Sequence, residues 1–130
     1  MENERDEQHE SLPMERADLE AFLATFRGAE ASYPFGPEVL VYKVRGKLFA
    51  FVSQDAAPSV TLKCNPEDGE LLVSQFRAVK PGYHMNKRHW LTVTLSDDVP
   101  DAVLRGLTED SYALVVKGLT KSVREELERS

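Results

Sequence analysis

Two β-rich runs, residues 39–44 and 47–52, are separated by only Arg45 and Gly46. So short a connection joins antiparallel neighbours, and this segment is expected to fold back on itself as a tight hairpin. Arg-Gly is a weaker turn pair than Asn-Gly, but its glycine tolerates the positive φ that such turns demand. A third run, residues 59–64, follows the loop Asp55-Ala56-Ala57-Pro58. Alternation puts Val60 and Leu62 on one face and Ser59, Thr61 and Lys63 on the other. Three strands with short links make an antiparallel meander.

Helical segments flank this meander. Leu19, Phe22, Leu23 and Phe26 recur at helical spacing and mark a helix over residues 14–26, with Pro13 in its first turn and Gly28 at its stop. Tyr33-Pro34-Phe35-Gly36-Pro37 cannot continue a helix and reads as a rigid loop. Asn65-Pro66-Glu67-Asp68 is a helix start: a capping amide, a proline at the first position and acids at the positive end of the dipole. That helix is expected to end near Phe76 or Arg77. A short strand over residues 78–83 is interrupted by Pro81-Gly82. Residues 90–95 alternate, with Leu91, Val93 and Leu95 opposite Trp90, Thr92 and Thr94, as a half-buried strand does. A helical stripe over residues 100–116 follows, with Gly106 and Thr108 as points where it can break. Thr120 can cap a last short helix over residues 121–127. The main order is α-β-β-β-α-β-β-α.

The chain is 130 residues long, which suits one domain, expected over residues 14–130. Its apolar runs, such as Val39-Leu40-Val41, fall far short of the roughly 20 residues of a membrane span. The first residues are polar and acidic, unlike a secretory signal, and residues 1–13 are expected to form a mobile acidic tail. One cysteine excludes an internal disulfide and a multi-cysteine zinc site. These features suggest a soluble cytoplasmic protein with no membrane partner.

The net charge of −6 disfavours indiscriminate coating of nucleic acid. It is unevenly spread, however: residues 1–42 carry −7, residues 43–90 carry +4 and residues 91–130 carry −3. A basic middle in an acidic chain suits an anionic partner, and it equally suits a solvated sheet face.

Two segments resemble a known family. Tyr33-Pro34-Phe35-Gly36-Pro37-Glu38 is similar to the signature near the start of the MmcQ/YjbR family. Pro81-Gly82-Tyr83-His84-Met85-Asn86-Lys87-Arg88-His89-Trp90 resembles its second, more specific signature. Leu62-Lys63-Cys64-Asn65-Pro66-Glu67 is similar to its strand-to-helix junction, and Ser111-Tyr112 with Leu114-Val115 to its C-terminal helix. The similarity runs from about residue 16 to residue 128. It implies an α+β, two-layer α/β sandwich with an antiparallel sheet of about five strands and helices on one face. Members are commonly labelled DNA-binding, so the resemblance implies DNA or another anionic ligand as partner. It implies no established reaction and no cofactor.

The residues themselves offer one concentrated candidate site. Lys87 and Arg88 can hold phosphate, His84, Asn86 and His89 can hydrogen-bond to bases or phosphates, and Tyr83 and Trp90 offer stacking surfaces. Lys43, Arg45, Lys47 and Lys63 lie on adjacent strands of the meander, where Lys43 and Lys47, if they flank the hairpin turn, share a face and extend the basic surface, and Lys63 joins Lys87, Arg88 and Trp90 as a candidate contact. A structural role suits the same segment: Trp90 in the core, Tyr83 anchoring a loop, Asn86 capping a turn. Tyr33 and Phe35 either line a small-ligand or protein-partner pocket with Tyr83, His84 and Trp90, or plug the sheet edge. His84 and His89, five apart, lack the spacing of a metal pair, and no metal is expected. Cys64 precedes a helix N-terminus, which can activate a thiol, yet a lone cysteine at a strand end is more often a small buried hydrophobe. With no complete catalytic constellation, the chain reads as a binding module rather than an enzyme.

Overall fold

The computed structural model describes residues 14–54, 57–82, 86–96 and 98–130. The acidic segment 1–13 lies outside them. The elements are α1 (Arg16–Ala24), β1 (Ala29–Ser32), β2 (Val39–Val44), β3 (Lys47–Ser53), β4 (Ser59–Lys63), α2 (Pro66–Gln75), β5 (Val79–Pro81), β6 (Trp90–Thr94), α3 (Asp101–Lys117) and α4 (Lys121–Arg129). All pairings are antiparallel, and the sheet order is β1-β2-β3-β4-β6-β5. The two-layer α/β architecture is as expected. The sheet has six strands rather than about five, because Ala29-Glu30-Ala31-Ser32 adds an edge strand before the meander. Its composition gives no β signal. It is extended because it pairs with β2, a contact invisible to local propensity.

The local chemistry explains most elements. The hairpin turn places Arg45 at φ 47° and Gly46 at φ 81°, both left-handed as a type I′ turn requires. Asn65 accepts the Asp68 N–H through Oδ1 at 3.2 Å, and Pro66 opens α2. Helix α3 is not broken at Gly106 or Thr108. The Thr108 hydroxyl donates to the Leu104 carbonyl at 2.8 Å inside the helix, so it finds its partner without disturbing the backbone.

The four described helices all pack on one face of the sheet. Leu19 and Leu23 of α1, Leu72 and Val73 of α2, Leu104 and Val115 of α3, and Leu127 of α4 meet one cluster of strand residues, among them Val44, Val52, Leu62 and Val93. Phe26, Phe49 and Tyr112 form an aromatic knot within it, with ring centroids 4.9 to 5.8 Å apart. Chain alternation slips once. A bulge opposite Tyr42 and Lys43 turns both Phe49 and Ala50 into this core.

That bulge ends the β3–β4 ladder at the Ala50–Leu62 pair, leaving the Phe49 carbonyl and the Lys63 N–H without a strand partner. Ser111 of α3 inserts its hydroxyl there: it accepts from Lys63 N at 2.8 Å and donates to Phe49 O at 2.5 Å. One buried hydroxyl thus replaces a ladder bond and fixes the end of β4 against α3.

Candidate functional site

The helix-free face of the sheet has a different composition from the core face. Register alone defines its rows. Lys80, Thr92, Thr61, Phe51, Val41 and Ser32 pair successively across all six strands. Lys63 and Trp90 are paired directly, two residues further along β4 and β6 and therefore on the same face. Lys43 of β2 shares it, opposite Glu30 of β1. Trp90 and Phe51 are half-buried, and neither joins the core cluster. Thr61 and Thr92 share a hydrogen bond of 3.0 Å between their hydroxyls. No helix packs on this face among the described residues.

Trp90 is held from behind. Gly82 donates its N–H to the Trp90 carbonyl at 2.7 Å. A Cβ on Gly82 would lie 2.5 Å from the Trp90 Cβ, so only glycine permits this approach. Asn86 caps the turn before β6: its Oδ1 accepts from Arg88 N at 3.0 Å, and its carbonyl accepts from His89 N at 3.0 Å. The turn is locked to the strand next door, because the His89 carbonyl accepts the Cys64 N–H at 2.8 Å.

The structure therefore sorts the residues singled out in the sequence. It brings Lys63 and Trp90 together on the helix-free face. Asn86, Lys87, Arg88 and His89 are exposed on the turn at the same end of the sheet. Lys87 and Arg88 line a shallow hollow of about 220 Å³ against Pro66, Gly69 and Glu70 of α2, on the helix side of that end. Tyr83 and His84 lie outside the described residues. Tyr33 and Phe35 are 50% and 80% exposed, so they do not plug the sheet edge. They follow β1 at the opposite end of the sheet from Trp90. Four strand spacings separate β1 from β6, about 19 Å, and the strand length adds about 13 Å. The described residues thus form no single pocket between Tyr33, Phe35 and Trp90.

A larger hollow, about 290 Å³, lies between α2 and α3 on the helix side, floored by Leu62, Leu91 and Val93. Lys63 borders it at the end of β4, and Cys64 lines it. The thiol is buried and free. Burial, with the Asp68 carboxylate adding, pushes its pKa up from the usual value, opposite to the shift a nucleophile needs. The proximity of α2's N-terminus does not win: the helix packs Gly69 onto the sulfur, and a Cβ there would sit 3.0 Å from it. Cys64 behaves as a small hydrophobe.

Phe51 and Lys80 were not legible as site residues. Residues 48–52 read as a uniformly apolar stretch, and only the Phe49-Ala50 bulge shows that Phe51 faces away from the core. Lys80 needs its pairing with Thr92 to be placed.

The charge follows the layers. The six strands hold Lys43, Lys47, Lys63 and Lys80 against one acid, Glu30, a net +3. The four described helices hold eleven acids and six bases, a net −5.

Residues 24–114 match the YjbR family model. The chain belongs to the YjbR family. It is 43% identical over 93 residues to the YbdF protein of Escherichia coli O157:H7, covering 71% of this chain and 76% of that one. It is 39% identical over 98 residues to the YjbR protein of Escherichia coli K12, covering 75% and 83%. The crystal structure of Deinococcus radiodurans protein DR2400 shares the fold of this YjbR chain. Its TM-score is 0.82 at 35% identity, over 91% of this chain and 90% of that one. No described helix of the YjbR domain is long and apolar enough to cross a membrane.

Proposed function

We propose that this YjbR domain, a single unit over residues 14–130, is a non-enzymatic DNA-binding module that meets its partner with the sheet rather than the helices. One observation carries the reading: positive charge belongs to the strand layer and negative charge to the helix layer, at net +3 and −5. On the helix-free face itself Lys43, Lys63 and Lys80 stand against Glu30, a net +2, so phosphate is attracted to that side and repelled from the helices, and the whole-chain charge of −6 misstates what the face presents. Lys63 and Trp90 form the centre of the contact. Asn86 and His89 on the neighbouring turn extend it, Lys87 and Arg88 carry it around the end of the sheet toward α2, and Tyr83 and His84 are proposed from their place in the same sequence segment. Such a partner and a single unpaired thiol both suit the cytoplasm.

Affinity for a labelled DNA, measured by fluorescence anisotropy at several salt concentrations, tests this. The expected slope of log K against log salt is about −0.9 per neutralised phosphate on duplex and about −0.7 on single strands. The combined variant Lys63→Ala, Lys87→Ala, Arg88→Ala is expected to flatten that slope by about two to three contacts. No binding at low salt, or unchanged binding by the variant, refutes the reading.

A further inference from the structure

We infer that the helix-free face takes single-stranded DNA, with bases stacked on Trp90 and Phe51 and phosphates held by Lys43, Lys63 and Lys80. This inference rests on the DNA-binding reading above and narrows it to one form of the partner. Three features of the face point to it.

The first is the presence of two partly exposed aromatic side chains outside the helix-facing core. Trp90 and Phe51 are half-buried and lie outside the core cluster that every helix joins. Trp90 pairs with Lys63 and Phe51 with Thr61, so the two rings are two strands and two residues apart. At about 4.8 Å per strand and 3.3 Å per residue, their Cα atoms are about 12 Å apart on a diagonal. Two platforms so placed can each accept a base from one strand crossing the sheet. Stacking needs an open base face, which a duplex withholds and a single strand offers.

The second is the distribution of charge around the platforms. Lys63 is directly beside Trp90, Lys80 is in the Phe51 row at the β5 edge, and Lys43 is on the other side of Phe51, on β2. The bases therefore flank the diagonal rather than form one block. A backbone that follows the rings passes each ammonium in turn. Glu30, the one acid in the strands, stands opposite Lys43 on β1 and bounds the path there.

The third is shape and hydrogen bonding. The face is the surface of a sheet, with no described helix or projecting ribbon on it that can enter a major groove about 12 Å wide. Beyond the apolar Val39, Val41 and Leu48, the hydroxyls of Thr94, Ser59 and Ser53 pair in one row at the end away from Trp90. They can bond to either phosphate or base without fixing a sequence.

Trp90 is the chain's one tryptophan, so its emission reports on the site directly. The full chain is titrated at low and moderate salt with an oligothymidylate, with that oligomer annealed to its complement, and with the matching oligouridylate. The expected result is quenching by the oligothymidylate at lower concentration than by either competitor. By anisotropy of a labelled oligothymidylate, Trp90→Ala and Phe51→Ala are each expected to weaken binding by about 5- to 150-fold, and Trp90→Phe by much less. Matching circular dichroism and urea midpoints show that each variant is folded, and Trp90→Phe keeps the test sound if the alanine variant is not. Tighter binding to the duplex or to the oligouridylate overturns the inference while leaving the wider reading intact. So does binding of the oligothymidylate with Trp90 emission unchanged. No binding of any of the three at low salt overturns both.

Discussion

Ser111 and Thr108 lie one turn apart on α3, both 0% exposed, and both hydroxyls are hydrogen-bonded. They are nonetheless expected to differ sharply in what their loss costs. Ser111 serves two backbone groups that the bulge has left without a strand partner: the Lys63 N–H at 2.8 Å and the Phe49 carbonyl at 2.5 Å. Ser111→Ala strands both. An orphaned buried polar group costs about 1–3 kcal/mol, so the pair amounts to about 2–6 kcal/mol. That is a large share of the roughly 5–15 kcal/mol that holds a domain together. Thr108 donates to the Leu104 carbonyl, which is also in line for a helical bond from the Thr108 N–H. Thr108→Val keeps the volume and deletes only this second bond, at an expected cost below about 1 kcal/mol.

Urea unfolding followed by circular dichroism separates the two variants. With slopes of about 1–3 kcal/mol/M, Ser111→Ala is expected to lower the midpoint by at least about 0.7 M and Thr108→Val by less than half as much. Equal losses, or a Ser111→Ala loss below about 0.5 kcal/mol, would refute the claim that one hydroxyl replaces a ladder bond. A changed slope in either variant would show an altered unfolded or native state instead.

Other perturbations have equally definite outcomes. Gly82→Ala puts a Cβ 2.5 Å from the Trp90 Cβ, so it is expected to cost about 1–3 kcal/mol in urea unfolding and to shift Trp90 emission; an unshifted spectrum at full stability would disprove the contact. The Tyr42 phenol is pushed up to about 12, by burial first and by the charges of Glu20 and Tyr33 after it. Below pH 10 the phenol is protonated in both states. Between pH 10 and pH 12 only the unfolded chain gives up the proton, so stability falls as pH rises, by on the order of 2 kcal/mol. Tyr42→Phe is expected to remove that part of the alkaline loss, and an identical pH profile in the variant would contradict it. The buried Cys64 thiol, raised above its ordinary value, is expected to alkylate far more slowly in the folded chain than in urea. Equal rates would reveal an accessible thiolate.

The sequence by itself determined the elements that local chemistry closes. Arg45-Gly46 between two β runs could only be a tight turn. Asn65-Pro66 could only open a helix, and the stripe Leu19, Phe22, Leu23 and Phe26 had to face a core. The two signatures were enough for the family and for a two-layer α/β fold. Everything that depends on which strand lies beside which was decided in three dimensions. Ala29-Glu30-Ala31-Ser32 is a strand only because β2 offers it hydrogen bonds. Phe51 faces away from the helices only because the bulge absorbs Phe49 and Ala50 into the core. Tyr33 and Phe35 stand at the far end of the sheet from Trp90 because β1 and β6 are four strand spacings apart. Alternation along one strand tells which face a side chain takes, and only register tells its neighbours on that face. The charge followed the same rule. A basic middle was visible along the chain, but its concentration on one layer became visible only when the lysine-bearing strands lay side by side with the acidic helices stacked behind them.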